Sequence, residues 1–344
     1  MTDEFEYNTE NIQPDPIDTI VRPDPKHFST ELTYLLRESE DMRLRYMKQH
    51  RFQKNVALTL GLLSIALGAG GFGWFLLVQV DLLRALACIV LAIVIPVALT
   101  IKTGNALRAY TRVYKTEFLP RIATAIGGLT FHQNRGVKEA LAKQSGLLPA
   151  YEIYKAEDCF MGTYKGVNIL FSEARLLMKN TLENPVFTGV FVLLELSRPL
   201  ITGHTILTTD RALYNKGRTT RWKKLQDVPL SPDVTDDPAR FHVLSSAPES
   251  VPLLLGKKLL MELEDIIEGF NNAPLSAAFF QEKYIFLMIP CARNLFEPSN
   301  IHIPVNTSRQ ALACKREVEQ LLQIVDILEL YRTSASDPAP TEGP

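Results

Sequence analysis

The sequence predicts a membrane-anchored α+β protein: a two-helix transmembrane hairpin followed by a mixed, mostly antiparallel α+β cytoplasmic domain. Three observations carry this expectation. Two long apolar runs, 56–78 and 82–101, lie close together in the first third of the 344-residue chain. Basic residues flank both runs on their outer sides. Beyond about residue 150 the texture changes to short apolar segments punctuated by glycine and proline, which is the signature of strands.

Taken in order, residues 1–27 read as a disordered acidic tail. Asp3, Glu4, Glu6, Glu10, Asp15, Asp18 and Asp24 are interleaved with Pro14, Pro16, Pro23 and Pro25. No basic start or apolar stretch of a secretory signal is visible there. Residues 28–54 read as a juxtamembrane helix, with Ser29 or Thr30 as its cap and Leu32, Leu35, Leu36, Met42 and Met47 at a loose helical period.

The first apolar run contains "LGAGGFGWF", and its glycines at 68, 70 and 73 spell G-x-G-x-x-G. A dinucleotide-binding turn needs a strand before those glycines and a helix with a polar face after them. Here they sit inside an uncharged stretch of 23 residues, 56–78, long enough at ~1.5 Å per residue to cross a hydrocarbon core of about 30 Å. The match to a phosphate cradle is a false positive. The glycines instead fit helix packing: Ser64/Gly68 and Ala69/Gly73 are small-x-x-x-small pairs that let another helix come close. The partner is the run 82–101, with Pro96 inside it, after a turn of Gln79, Val80 and Asp81.

Orientation follows from charge. Arg43, Arg45, Lys48, Arg51 and Lys54 precede the first span, and Lys102, Arg108, Arg112, Lys115 and Arg121 follow the second, whereas the turn region holds only Asp81 and Arg84. The positive-inside rule puts both termini in the cytoplasm.

Residues 102–149 read as a stalk helix and linker, the helix running to about residue 126 with Pro120 kinking or ending it. The α+β domain is expected over 150–332. Its strands are read at 162–177 with a turn at Lys165-Gly166, at 185–196, 203–210 and 240–246, and as a pair over 275–290 turning near Glu282-Lys283. Helices are read over 251–270, stopped by Gly269, Asn271 and Asn272, and over 307–331. Residues 333–344 read as a second loose tail.

Chemistry-bearing motifs are scarce. A net charge of −1 gives no global attraction to nucleic acid or to acidic ligands, and nucleic acid is not an expected partner. Cys88, Cys159, Cys291 and Cys314 form no C-x-x-C pair, and His27, His50, His132, His204, His242 and His302 are never three to five apart. No metal site and no cofactor is expected. Glu173, Glu195 and Asp210 stand in or beside apolar strands, where an acid either serves as a proton-transfer group or simply points outward or pairs with a base. The segment "NKGRTTRWKKL" reads as a hairpin loop in which Lys216, Arg218, Arg221, Lys223 and Lys224 surround Trp222. Near an inner leaflet it suits anionic lipid head groups or a protein partner. The alternative is a solvated loop whose tryptophan packs on its own domain.

The stretches "YKAEDCFMGTYKGVNILFSEARL", "FTGVF", "FHVLSS", "FNNAPLSAAFFQEKYIFLMI" and "NLFEP" resemble a bacterial membrane-protein family, domain of unknown function 3137, over about residues 30–330. The matching positions are Gly162, Gly166, Glu173, Phe187, Gly189, Phe241, Ser245, Asn271, Asn272, Phe296, Glu297 and Pro298. The resemblance implies a bacterial inner-membrane protein and brings no activity, cofactor or catalytic residue. The expected function is therefore a non-enzymatic binding or scaffold domain held at the cytoplasmic face, with the bilayer and a protein at the inner membrane as partners. The rival reading is a membrane-proximal small-ligand sensor or enzyme built on strand carboxylates such as Glu173 and Asp210.

Overall fold

The computed structural model describes residues 25–127, 129–164, 166–181, 184–199, 201–235, 237–291, 296–298 and 301–302. The helix expected over 307–331, the tail expected over 333–344 and most of the acidic tail expected over 1–27 lie outside the described residues. The described chain divides into two compact units, Ser29–Ile122 with the short stretch beginning at Phe296, and the chain from Ala123 to the end of the last strand.

The first unit is built on two long helices. α1 (Pro25–Leu77) is one uninterrupted helix of 53 residues. It starts earlier than Ser29 or Thr30 because a proline is preorganised for the first helical position and lacks only a donor that would be unpaired there. Val80 takes a positive φ of 51° in the turn. Asp81 then caps α2 (Leu82–Val113), its carboxylate accepting the Arg84 backbone N–H at 3.1 Å.

The two helices pack as a hairpin along a seam of small residues. On α1 the inward positions are Ala57, Gly61, Ser64, Gly68, Gly71 and Phe75, and on α2 they are Ala85, Cys88, Ala92, Pro96 and Leu99. The α1 positions alternate by four and three, the spacing of a left-handed helix pair. A Cβ on Gly68 would stand 2.4 Å from the Ala92 Cβ, so this approach requires glycine. Gly61 meets Pro96 and Gly71 meets Cys88. Of the expected packing pairs, Ser64/Gly68 is on the seam. Ala69/Gly73 is not: Ala69 is exposed, and a Cβ on Gly73 would meet nothing within 4 Å. Neighbouring helical residues point about 100° apart, so the residue after a seam position turns away from it.

Polar and aromatic contacts hold this unit outside the apolar runs. His50 Nδ1 lies 3.2 Å from the Thr103 carbonyl oxygen. Arg43 is buried, its guanidinium donating to Glu40 and to the Ile301 carbonyl oxygen. Tyr46, Tyr110, Tyr114 and Phe118 form an aromatic ladder with centroid spacings of 6.0, 6.4 and 4.9 Å.

Pro120 does not end the helical path, one of the two outcomes expected of it. After α2 the chain makes a π-turn over Tyr114–Phe118 and continues as α3 (Leu119–Gly127). The Leu119 N–H reaches back five residues to the Tyr114 carbonyl. The wider turn ends the i→i−4 ladder before the proline, which has no N–H to continue it. Arg121 of α3 pairs with Glu38 of α1 at 2.7 Å.

The second unit is an antiparallel sheet with short helices. Its strands are β1 (Thr130–His132), β2 (Ile153–Tyr164), β3 (Val167–Leu177), β4 (Phe187–Glu195), β5 (Thr205–Thr208), β6 (Gln226–Asp227), β7 (His242–Ser245), β8 (Ser276–Phe280) and β9 (Tyr284–Pro290). Among the described residues they form one nine-stranded sheet in the order β1-β2-β3-β4-β9-β8-β5-β7-β6. The helices are α4 (Glu139–Gln144), α5 (Arg211–Thr219), α6 (Val251–Leu254) and α7 (Lys257–Gly269).

The central strands β4, β9, β8 and β5 are buried nearly throughout, and this is why they read as continuous apolar runs rather than alternating ones. One face gathers Phe187, Phe191, Phe286, Phe280, Ile206 and Leu244 into a single core. Each such side chain contributes about 1.5–3 kcal/mol on full burial. The expected helix over 251–270 is two pieces, broken after Leu254. Its C-terminal stop is as expected, with Asn271 and Asn272 both left-handed at φ 59° and 58°.

Candidate functional site

Two regions of the sheet unit carry exposed polar chemistry: the basic segment after β5, and a cleft at one end of the central strands.

The basic segment is not a hairpin loop. Asp210 accepts the Ala212 and Leu213 backbone N–H groups, each at 2.9 Å, and this cap starts α5, so "NKGRT" is helix and "TRWKK" is the turn that ends it. Trp222 is only 3 % exposed. Its ring lies on Gly217, where a Cβ would come within 2.1 Å of the indole Cε3, and its Nε1 donates to the Gly146 carbonyl at 3.1 Å. Arg221 donates to the Leu148 carbonyl, and His204 Nε2 lies 3.0 Å from the Ser145 carbonyl. Three side chains thus hold the loop that follows α4. Burial lowers the pKa of His204, opposed in part by that hydrogen bond to Ser145. Lys216, Arg218, Arg221, Lys223 and Lys224 are all exposed, Arg218 also pairing with Asp227 at 3.2 Å.

The cleft has a volume of about 610 Å³ and lies where β4 and β8 begin and β9 ends. Four prolines, Pro149, Pro185, Pro274 and Pro290, stand around it. Lacking N–H groups, they present apolar surface where strand ends would otherwise expose donors. Val186, Leu213 and Met288 add apolar wall. The polar members are Thr188, Asp210, Ser276 and Cys291, of which Ser276 is already bonded to Thr208 at 2.7 Å.

The three acids singled out in the sequence have separate surroundings. Asp210 lines the cleft while capping α5. Glu173 is buried in β3, in register with Glu157 and Val190, and is not among the cleft residues. Glu195 pairs with Lys283 at 2.5 Å and accepts from Asn168 and Tyr284. Burial raises the Glu195 pKa, but the hydrogen bonds from Lys283 and Asn168 and the Lys283 charge outweigh it and leave it below the ordinary carboxylate value. Among the described residues, no group of three His, Cys, Asp or Glu side chains is placed to hold a metal ion.

Sequence reasoning did not find Thr188, Ser276 or Cys291. The usable signal was the recurrence of proline at strand ends, which marks a rim but not which strands meet there.

The segment from just before β4 to beyond β9, with α5, α6 and α7 between, is the part of the chain that resembles a known family. Residues 185–330 match the family model of a protein of unknown function, DUF3137. The DUF3137 stretch includes "FTGVF", "FHVLSS", "FNNAPLSAAFFQEKYIFLMI" and "NLFEP", together with Asp210, α5 and every cleft residue except Pro149. The resemblance noted at "YKAEDCFMGTYKGVNILFSEARL" lies before the DUF3137 match. No curated protein matches the chain.

Proposed function

We propose that this chain is a bacterial inner-membrane protein in which the α1/α2 hairpin crosses the bilayer and holds the sheet unit at the cytoplasmic face. There the sheet unit works as a non-enzymatic binding or scaffold domain. The observation that carries the reading is the burial of the hairpin. Both helices are long and apolar enough to cross a membrane, yet only 11 % and 6 % of their most apolar windows is buried within the protein. A core helix of a water-soluble fold would be mostly covered. Leu58, Leu62, Leu67, Leu83, Leu86 and Ile93 are each more than half exposed, a surface suited to lipid. The basic residues outside the two runs support a topology with both termini inside. Lys216, Arg218, Arg221, Lys223 and Lys224 are the contact surface this reading assigns to anionic head groups or a protein partner, with the buried Trp222 shaping it from beneath.

Two measurements on the full chain test this reading. It should remain in the membrane pellet after alkaline carbonate extraction. In a background without other reactive cysteines, Val80→Cys should be labelled in intact cells by a maleimide that enters the periplasm but not the cytoplasm. Release by carbonate overturns the anchorage, and labelling only after lysis overturns the orientation.

A further inference from the structure

The cleft at the ends of β4, β8 and β9 has the dimensions and chemistry of a ligand site, and its polar groups define the kind of ligand. Its volume of about 610 Å³ falls within the ~300–1,000 Å³ typical of small-molecule sites. Its walls are apolar except at Thr188, Asp210, Ser276 and Cys291. Ser276 is committed to Thr208.

Among the described residues, Asp210 is the one charged residue lining the cleft. Its Oδ1 accepts both cap N–H groups, and its Oδ2 makes no hydrogen bond among the described residues. The Thr188 hydroxyl is likewise unbonded there. The positive end of α5 is thus already met by its own carboxylate, and among the described residues no lysine, arginine or histidine lines the cleft. An anion entering would lose its hydration and find the Asp210 charge, whereas a cation would gain a partner. Phosphate-bearing ligands are disfavoured on the same ground.

We propose that this cleft binds a small organic ammonium compound with an apolar body. Its ammonium group meets the free oxygen of Asp210, a donor or acceptor on the ligand meets the Thr188 hydroxyl, and its apolar part packs on Leu213, Met288 and the surrounding prolines. The site takes up the small-ligand reading of the strand acids with Asp210 alone and without Glu173. It does not depend on the bilayer anchorage.

The test uses the full chain in lipid nanodiscs and ligand-observed saturation-transfer NMR. The probes are 4-phenylbutylamine, 4-phenylbutyrate and neutral 4-phenylbutanol. The amine should bind at least tenfold more tightly than the acid, with the alcohol between them. Asp210→Asn keeps an equally good helix cap but removes the charge, and should erase the preference for the amine. Val186→Trp places an indole in the cleft from a position that is 44 % exposed, leaving the core untouched, and should abolish binding of all three probes. The proposal is overturned if the acid binds as tightly as the amine, or if Asp210→Asn retains the preference. Undiminished binding to Val186→Trp, or no saturation transfer from the unsubstituted protein at millimolar probe, overturns it equally.

Discussion

At the scale of single residues, the side chains around the loop after α4 show how a surface-looking motif is used internally. Trp222 and Arg221 stand among basic residues in sequence, yet both donate hydrogen bonds to carbonyls of that loop. His204 completes the set and carries a pH dependence. Its pKa is lowered in the folded protein because burial disfavours the imidazolium. The unfolded chain therefore binds the proton more readily, and the stabilisation is complete above the ordinary histidine value of about 6.5 and shrinks as pH falls below it. Urea midpoints of the full chain, read from Trp222 fluorescence in a Trp74→Phe background, should decline between pH 7 and 5. His204→Gln keeps a donor for the Ser145 carbonyl and cannot titrate, so its midpoint should be flatter over that range, by up to about 1 kcal/mol per pH unit. Equal slopes would remove His204 from the acid limb. None of this was legible in "TGHTI", because a histidine beside glycine gives no sign that its ring will be covered from a different part of the chain.

At the scale of elements, helices and strands with strong periodic or apolar signals were legible, and their joints were not. The β8–β9 hairpin turns near Glu282-Lys283 as the sequence implies, with Gln281 and Glu282 at positive φ. The break between α6 and α7 was not seen, since Leu255 and Leu259 continue a helical period across Gly256. The helix seam was legible in kind but only half in position. Several glycines within one helix offer more than one small-residue stripe, and the stripe in use depends on where the neighbouring helix lies. The seam predicts a cross-link. A Cβ on residue 71 would lie 3.6 Å from the Cys88 Cβ, within the range of about 3.5–4.5 Å for disulfide-bonded cysteines. Gly71→Cys should therefore form an intramolecular disulfide with Cys88 under mild oxidation of the full chain, seen as a linked peptide pair by mass spectrometry. Gly73→Cys, off the seam, should not. Reversal of that pattern would mean the helices meet on another face.

At the scale of the whole molecule, the segregation of character along the chain is what the sequence shows best. An apolar hairpin with basic flanks comes first, then a domain rich in short strands. What brings Asp210, Thr188 and Met288 to one cleft is long-range sheet pairing, Thr208 with Ser276 and Ser276 with Met288, which no local pattern encodes. The proposed role of the exposed cations belongs at this scale, because it needs anchorage and charge together. The quadruple reversal Lys216→Glu, Arg218→Glu, Lys223→Glu and Lys224→Glu should at least halve the anionic lipid retained by the full chain after detergent extraction, measured by lipid mass spectrometry against zwitterionic lipid. Unchanged retention would assign those residues to solvent or to a protein partner.

The short strands at the two margins of the sheet have a further consequence. β1 spans three residues and β6 two, and both are outermost. β1 covers β2 only from Cys159 to Met161, and the uncovered stretch before it carries exposed Lys155 and Glu157 and ends at the irregularity around Asp158. Among the described residues, neither margin offers a long, flat, uncharged row of amides for another copy to extend. Tethering to a bilayer would confine many copies to a plane, where lateral encounters are frequent. A sheet finished in this way can be crowded there without zipping into a continuous ribbon.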